Sequence, residues 1–287
     1  MRGVVPLTPW SLMAADRMPV VFIHGLWLHS TSWQPWAELF RSAGYDPVMP
    51  EWPGVPDTVA EARAHPESQA GIGIDQVIDS HARLVEAMPE PPVLIGHSFG
   101  GLVVMSLLDR GLGRAGVAID PAQIRGVVRT PPAQLASAFP VLRNPANRNR
   151  AVSLTPGQFR SAFGNALPEE ESARLHEQWT IPGPGRPLFQ AALANATPRS
   201  RAATAVDTHK ADRAPLLIMS GGVDRTIPDS VSRAAYKMYG KSAAVTEFRQ
   251  FPDRGHSLTV DSGWPDVARA ALDWLTEQGI PGQTAAP

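Results

Sequence analysis

The 287-residue chain contains no cysteine, and among its 26 basic residues only Lys210, Lys237 and Lys241 are lysines. Without a thiol, disulfide bonds, thiolate catalysis and thiolate metal sites are excluded. The formal net charge is −1, and no basic patch points to nucleic acid or to an anionic membrane surface. The absence of cysteine fits a reducing compartment, and we expect a cytoplasmic location.

The chain also lacks a long apolar run. No stretch approaches the roughly 20 residues that are needed to span a bilayer, so no membrane partner is expected. Pro6 and Pro9 interrupt the mildly apolar N-terminus, which argues against a signal peptide. We predict an irregular lead-in over residues 1–17 and a frayed tail from Gly279 onward. The sequence carries no signal for an oligomeric state.

What the chain does contain is a G-x-S-x-G motif, Gly96-His97-Ser98-Phe99-Gly100. A short apolar run at 93–95 precedes it, and an apolar stretch at 101–108 follows it. This pattern predicts a buried strand, a sharp turn and a helix, which is the context that the motif needs. Such a turn holds the Oγ atom of Ser98 clear of the backbone. It also leaves the amide of Phe99 free to donate to a developing oxyanion.

Strand and helix patterns alternate on both sides of this motif. Strands are predicted at 20–23, 45–49, 93–95, 116–119, 215–219 and 245–251, and helices at 32–43, 74–88, 101–108, 229–239 and 266–278. We expect Ser32 to cap the first helix and residues 54–73 to form a long loop. The alternation predicts an α/β fold with a mostly parallel twisted sheet flanked by helices.

The alternation stops between residues 121 and 213. There the sequence is rich in loops, and helices are predicted only at 168–179 and 188–196. We therefore predict a core made of residues 1–120 and 214–287, with an inserted helical cap at 121–213.

Three polar residues follow three predicted strands, in the order Ser98, Asp224, His256. In an open parallel sheet, sites form outside the carboxyl ends of the strands, so these side chains can converge. A serine hydroxyl needs an adjacent base, and histidine is matched to that role at neutral pH. A carboxylate behind the histidine fixes its tautomer and stabilises the imidazolium. Asp120, which follows the strand after the motif helix, is a rival for the carboxylate.

These motifs resemble the α/β-hydrolase superfamily in its cap-bearing branch, over residues 18–278. The resemblance is carried by His24-Gly25, the G-x-S-x-G motif, Ser220-Gly221-Gly222-Val223-Asp224 with Pro228 after it, and Gly255-His256-Ser257. It implies Ser98 as nucleophile, His256 as base and Asp224 as the orienting acid. It also implies an oxyanion hole formed by the amides of Leu26 and Phe99. Some relatives place their acid at the position of Asp120, so that alternative stays open.

We expect a substrate pocket lined by Trp27, Leu28, Phe99 and Leu258, whose apolar character suggests an apolar acyl or alcohol group. The expected activity is hydrolysis of a small-to-medium carboxylic ester or lactone through an acyl-enzyme on Ser98. No cofactor and no metal are expected. The same fold also supports thioester hydrolysis, acyl transfer, carbon–carbon bond hydrolysis, hydroxynitrile lyase chemistry and perhydrolysis, and a non-catalytic ligand-binding protein is a further alternative.

The other histidines are expected to be structural or exposed. His24 is predicted to be structural because it precedes a glycine in a tight loop, and His97 because its side chain should point into the fold. His29 is predicted to face either the pocket or solvent. The remaining histidines lie in polar stretches and are predicted to be surface residues; they are His65, His81, His176 and His209.

Overall fold

The computed structural model describes residues 17–283, so the predicted lead-in at 1–16 and the tail residues 284–287 lie outside the described residues. Six strands form one sheet in which every neighbouring pair is parallel, in the order β2-β1-β3-β4-β7-β8. The strands are β1 (Met18–Ile23), β2 (Tyr45–Val48), β3 (Val93–His97), β4 (Ala115–Ile119), β7 (Leu216–Gly221) and β8 (Thr246–Phe251). The predicted parallel sheet is confirmed.

The central strands are covered on both faces, which explains why they read as continuous apolar runs. In β1, Val20 and Phe22 belong to the core on one face of the sheet. Val21 and Ile23 belong to the core on the other face. All four side chains have no exposed surface. Because successive strand side chains point to opposite faces, one short segment contributes to both cores.

Helices form a layer on each face. α1 (Gln34–Ser42) and α10 (Trp264–Glu277) cover one face. α3 (Ile74–Glu86), α4 (Phe99–Asp109) and α9 (Asp229–Tyr239) cover the other. The sheet and its helices match the predicted α/β layers. Within residues 17–283, none of the helices combines the length and the apolar character that crossing a membrane requires.

The segment between β4 and β7 carries the remaining elements. They are α5 (Pro132–Leu142), β5 (Ala151–Val152), α6 (Pro156–Ala162), α7 (Glu169–Trp179), β6 (Gly183–Pro184) and α8 (Arg186–Ala192), with 3₁₀ turns between them. β5 and β6 form a separate antiparallel pair. β4 and β7 are neighbours in the main sheet. The segment therefore leaves and rejoins the sheet at one place, which is the connection expected of an insertion.

Two local predictions in the first part of the chain were wrong. Residues 54–73 contain a helix, α2 (Val59–Ala64), and a 3₁₀ turn (Pro66–Gln69), which are too short to show a periodic pattern. Ser32 does not cap α1, because a 3₁₀ turn (Ser30–Trp33) precedes that helix and the His29 side chain accepts a bond from the Thr31 amide there.

The part of the tail that the structure describes is packed, not frayed. The Tyr45 hydroxyl donates to the Ile280 carbonyl at 2.6 Å, and the Gln283 amide donates to the Gly44 carbonyl at 3.0 Å. These bonds tie residues 280–283 to the turn that leads into β2, and the Ile280 side chain lies in the core.

Candidate active site

Ser98 lies at the turn between β3 and α4, in a backbone conformation that is rare for a side-chain-bearing residue. Its φ is 57° and its ψ is −120°. The Ser98 amide donates to the Ile119 carbonyl at 2.9 Å, which ties the turn to β4. A Cβ atom at Gly96 would collide with the Gly100 carbonyl, and one at Gly100 would collide with the Ile23 carbonyl. The motif therefore needs glycine at both positions to hold Ser98 in this strained turn.

His256 and Asp224 are brought together by the loops after β8 and β7. The Nδ1 atom of His256 lies 2.6 Å from Oδ2 of Asp224, and both side chains are fully buried. The amides of Thr226 and Ile227 donate to Oδ1 of Asp224 at 2.6 and 2.9 Å. With Nδ1 donating to the carboxylate, the Nε2 atom of His256 presents its lone pair. Nε2 is buried and has no hydrogen-bond partner among residues 17–283.

Asp120 lies in the same buried cluster but makes a different contact. Its Oδ2 atom is 3.9 Å from Nδ1 of His256, which is too long for a hydrogen bond. Its Oδ1 atom accepts a bond from the Gly221 amide at 2.8 Å. The geometry therefore favours Asp224 over Asp120 as the partner of His256.

Burial shifts the ionisation of all three groups. It lowers the pKa of His256 to about 3, so the imidazole is neutral at rest. It raises the pKa of Asp120 well above the usual range, and the charge of Asp224 adds to this effect. Burial also raises the pKa of Asp224, although the neighbouring Asp120 and the hydrogen bonds from the Ile227 and Thr226 amides oppose it. Because Asp224 accepts three N–H groups and Asp120 accepts one, Asp224 holds the negative charge and Asp120 the proton.

His97 connects the two halves of the cluster. Its ring centroid lies 4.5 Å from that of His256, so the residue next to Ser98 packs directly against the imidazole that pairs with Asp224. The structure shows no hydrogen bond between His256 and Ser98. The predicted nucleophile, base and acid nevertheless lie at the carboxyl ends of β3, β8 and β7, at one edge of the sheet.

The loop after β1 carries the other predicted amide, that of Leu26. Trp27 in this loop has a φ of 69°, and its indole Nε1 donates to the Val152 carbonyl at 2.9 Å. Phe99 is the first residue of α4, where a backbone N–H has no partner within the helix. Leu26, Ser98 and Phe99 all border one cavity.

This cavity has a volume of about 390 Å³, and its wall has more apolar than polar surface. From the core it is lined by Leu26, Trp27, Ser98, Phe99, Thr226 and Ile227, and from the segment between β4 and β7 by Ala122, Gln123, Thr130, Gln134, Leu135, Ser137, Ala138, Leu142, Leu188, Ala191, Ala192 and Asn195. The size is that of a small-molecule site. Most of the wall therefore comes from residues that the sequence did not single out.

Two of the four predicted pocket residues line the cavity, and two do not. Trp27 and Phe99 are part of its wall. Leu28 is buried in the core and is not part of the cavity wall. Leu258 lies in the core on the opposite face of the sheet and is not part of the cavity wall.

The structure corrects two histidine predictions. His29 is fully buried, facing neither pocket nor solvent, and His81 is buried in α3 with 1% of its surface exposed. Burial lowers the pKa of His81 to about 4. The Nδ1 atom of His81 is bonded to the Val77 carbonyl at 2.8 Å, which is a local helix contact that no sequence pattern predicts.

Among the remaining histidines, His24 and His97 are buried, as predicted. His65 and His209 are exposed, also as predicted. His176 is half-buried and bonded to the Leu154 carbonyl.

His97, Asp120 and His256 hold ligand-type atoms within 4.8 Å of one another. No sequence spacing indicated this cluster, because His97 ends β3, Asp120 follows β4 and His256 follows β8. One member of this cluster, His256, is also the residue that contacts Asp224. The expectation that the protein uses no metal stays a prediction.

Sequence reasoning missed two kinds of site residue. The amides of Thr226 and Ile227, which hold Asp224, carry no side-chain signal. Leu135, Ala138 and Leu142, in contrast, follow helical spacing on α5 and form one face that lines the cavity. That periodicity was available in the sequence between Pro132 and Leu142.

Comparison with known proteins assigns the fold. A family model described as the alpha/beta hydrolase family matches residues 20–270. Among solved structures, a monoacylglycerol lipase of Paleococcus ferrophilus superposes with a TM-score of 0.62 at 22% identity, over 90% of this chain and 94% of that one. A putative non-heme bromoperoxidase of Mycobacterium tuberculosis, BpoC, superposes with a TM-score of 0.66 at 19% identity, over 91% of this chain and 92% of that one.

An extracellular alpha/beta-hydrolase from a Paenibacillus species gives a TM-score of 0.63 at 19% identity, over 89% of this chain and 98% of that one. No curated protein sequence matches the chain. The structural neighbours share the fold at low identity, and the family match covers most of the sequence. The chain therefore belongs to the alpha/beta hydrolase family.

Proposed function

We propose that the protein is a serine hydrolase that cleaves a small-to-medium apolar carboxylic ester or lactone through an acyl-enzyme on Ser98. The observation that carries the proposal is the 2.6 Å contact between His256 and Asp224, at the same sheet edge as a strained Ser98 that borders an apolar cavity. These are the parts that nucleophilic catalysis by a serine requires.

In the first half of the reaction, Nε2 of His256 takes the Ser98 hydroxyl proton while Oγ forms a bond to the substrate carbonyl carbon. The carbonyl oxygen becomes an oxyanion, which the amides of Leu26 and Phe99 stabilise. Each such donor contributes roughly 3–4 kcal/mol to the transition state. The imidazolium then gives its proton to the leaving alcohol as the carbon–oxygen bond breaks.

In the second half, His256 takes a proton from water, and the hydroxide adds to the acyl carbon. Collapse of this second tetrahedral intermediate breaks the bond to Ser98, and the proton returns to Oγ. Asp224 stays ionised throughout and stabilises the imidazolium in both halves. The neutral His256 at rest suits this role, because only an unprotonated Nε2 accepts the serine proton.

The segment 121–213 acts in this proposal as a cap that selects the substrate. It supplies most of the cavity wall, including the apolar face of α5. Polar groups from Gln123, Gln134 and Asn195 are set among these apolar side chains. A cavity of about 390 Å³ suits an acyl or alcohol group of small to medium size.

The test is hydrolysis of p-nitrophenyl esters from acetate to decanoate by the wild type and by Ser98→Ala. We expect a burst followed by turnover in the wild type and neither in the variant. Reaction of the wild type with a fluorophosphonate probe, followed by mass mapping, should place the label on Ser98. A Ser98→Ala variant that retained full turnover would overturn the proposed nucleophile.

The alternatives are separate outcomes of this test. A wild type that is labelled at Ser98 but inert on every ester would point to a lactone, a thioester, acyl transfer or carbon–carbon bond cleavage. A wild type that neither turns over nor is labelled would point to a ligand-binding protein.

A further inference from the structure

A buried polar cluster lies behind the loop that carries the Leu26 amide. Glu51, which follows β2, places its carboxyl between two histidines of that loop. Its Oε2 atom is 3.2 Å from Nε2 of His24, and its Oε1 atom is 3.1 Å from Nε2 of His29. The side chains of His24 and His29 are 2% and 0% exposed, and that of Glu51 is 18% exposed. The three groups therefore interact largely out of water.

At the far end of the loop, Glu51 is held by several donors. The Ser30 amide donates to Oε1 at 3.2 Å, and the Ser30 hydroxyl donates to the same atom. The Thr31 amide donates to Nδ1 of His29 at 3.2 Å, so the ring proton of a neutral His29 lies on Nε2. That proton is directed at Oε1 of Glu51 and at the Pro56 carbonyl.

At the near end, His24 is fixed by its own neighbours. Its Nδ1 atom lies 2.9 Å from the Gly25 carbonyl, and the Trp52 amide donates to its Nε2 atom at 3.2 Å. The Trp52 indole also donates to the His24 carbonyl at 3.1 Å. Oε2 of Glu51 has no hydrogen-bond partner within the described residues. The His24 ring is therefore fixed by backbone groups on both nitrogens, and Oε2 of Glu51 lies beside it at 3.2 Å.

We propose that Glu51 is a positioning residue for the oxyanion hole: its carboxyl joins the two ends of the loop between His24 and Ser30 and so fixes the Leu26 amide relative to Ser98. The packing of the loop makes this relationship sensitive. A Cβ atom built on Gly25 would lie 2.9 Å from Cβ of Ser98, so the backbone at that point is already in close contact with the nucleophile. The inference rests on the proposed function, because Leu26 acts as an oxyanion donor only if Ser98 attacks a carbonyl.

The charges around Glu51 are consistent with an ionised carboxyl. Burial raises the pKa of Glu51, but the hydrogen bond and charge of His24, with the Ser30 bond and the charge of His29, outweigh it and leave the pKa below the usual value. The other titratable group that faces the cluster is His81 of α3, which interacts with His24 and Glu51 and is kept neutral by burial. The carboxylate therefore accepts from Ser30 through Oε1 at one end of the loop, and its Oε2 atom lies 3.2 Å from Nε2 of His24 at the other.

Glu51→Leu and Glu51→Gln test this role. Leucine removes every polar contact of the carboxyl, whereas glutamine keeps an acceptor for Ser30 and His29 and places a polar group of the same size beside His24. We expect Glu51→Leu to lower kcat about 10- to 100-fold with KM within about threefold, since an oxyanion donor acts mainly in the transition state. Glu51→Gln should restore kcat to within about fivefold of the wild type.

Tyr45→Phe is the matched control for lost stability. It removes a buried hydrogen bond from β2, the strand that leads to Glu51, at its end far from the loop. We expect it to lower Tm while kcat stays within about twofold, because it removes one buried hydrogen bond remote from the site. If Glu51→Leu keeps wild-type kcat, or if kcat falls equally in all three variants in step with Tm, the positioning role is wrong.

The outcome is separable from a failure of the proposed function. If the wild type is inert on esters but labelled by a fluorophosphonate, the rate of labelling of Ser98 replaces kcat as the readout and the same ranking is expected. If the wild type is neither active nor labelled, the proposed function fails, and the inference about Glu51 fails with it.

Discussion

Gly25 lies so close to Ser98 that a methyl group at position 25 would stand 2.9 Å from Cβ of the serine and 3.0 Å from the His97 carbonyl. Real Cβ atoms are not found at such distances, so the loop or the Ser98 turn must shift if a side chain is added. We predict that Gly25→Ala lowers kcat/KM by about 100-fold or more, because a displacement near 1 Å at a catalytic group costs roughly that factor. Ester hydrolysis and fluorophosphonate labelling both measure the loss.

Gly157→Ala is the control for this change. Gly157 lies in α6, and a Cβ atom there meets nothing within 4 Å. The same substitution should leave kcat/KM unchanged, because the added methyl group meets nothing in the structure. If both variants retain full activity, the close approach of Gly25 to Ser98 has no functional role.

The two buried aspartates should differ sharply in their effect on catalysis. Asp224→Asn replaces the acceptor that lies 2.6 Å from Nδ1 of His256, and we expect kcat to fall about 10⁴-fold. Asp120 lies 3.9 Å from His256, and Asp120→Asn keeps an oxygen that accepts from the Gly221 amide. We therefore expect kcat of Asp120→Asn to fall by no more than about tenfold. Steady-state kinetics of the two variants would assign the acid, and the reverse ranking would make Asp120 the partner of His256.

The pH dependence should follow the buried pair of Asp224 and His256. Burial raises the pKa of Asp224 to about 7 and lowers that of His256 to about 3. As the pH falls, the pair therefore takes up its first proton on the carboxyl side, and a neutral Asp224 no longer stabilises the imidazolium. We expect kcat/KM to decline as the pH falls through about 7.

The measurement is a profile of kcat/KM from acid to alkaline pH on an ester that is stable over the range, with Ser98→Ala as background. Since the active form is the deprotonated pair, activity should be constant above the transition and lost below it. A profile that stays flat well into the acid range would show that Asp224 remains ionised, as for an ordinary surface carboxyl.

The apolar face of α5 should set the upper limit of acyl chain length. Ala138 lines the cavity, whereas Ala136 on the same helix is exposed and does not. We predict that Ala138→Phe lowers kcat/KM for decanoate about tenfold or more while that for acetate changes little, because the ring occupies the space of several methylene groups. Ala136→Phe should change neither value. Equal behaviour of the two variants would show that the acyl chain lies elsewhere.

The sequence predicted those parts of the structure in which a residue's position depends on its own polarity and on its immediate neighbours in the chain. Strands with both faces covered need continuous apolar runs, so β1, β3, β4 and β7 were evident. Ser98 and Asp224 follow two of these strands, His256 follows the alternating strand β8, and parallel strands bring their carboxyl ends to one edge. The contact between His256 and Asp224 was expected for that reason.

The parts that were missed depend on partners far along the chain. Glu51 has no local signal, since its role comes from histidines that lie more than twenty positions earlier in the sequence. Ile280 looked like part of a tail because its acceptor role toward Tyr45 cannot be read from neighbouring residues. Leu258 was placed near the pocket by its proximity to His256 in sequence, yet its side chain belongs to the core on the other face of the sheet.

The position of the segment 121–213 between two neighbouring strands has a consequence for biosynthesis. Ser98 and its turn leave the ribosome first, the whole segment follows, and β7 and β8 come last. At roughly 5–20 residues per second, translation takes about 10–30 s to pass from Ser98 to His256. During that interval the serine has neither its proposed base nor its proposed acid. On the proposed mechanism the nascent chain is therefore inactive until the loops that follow the last two strands reach Ser98.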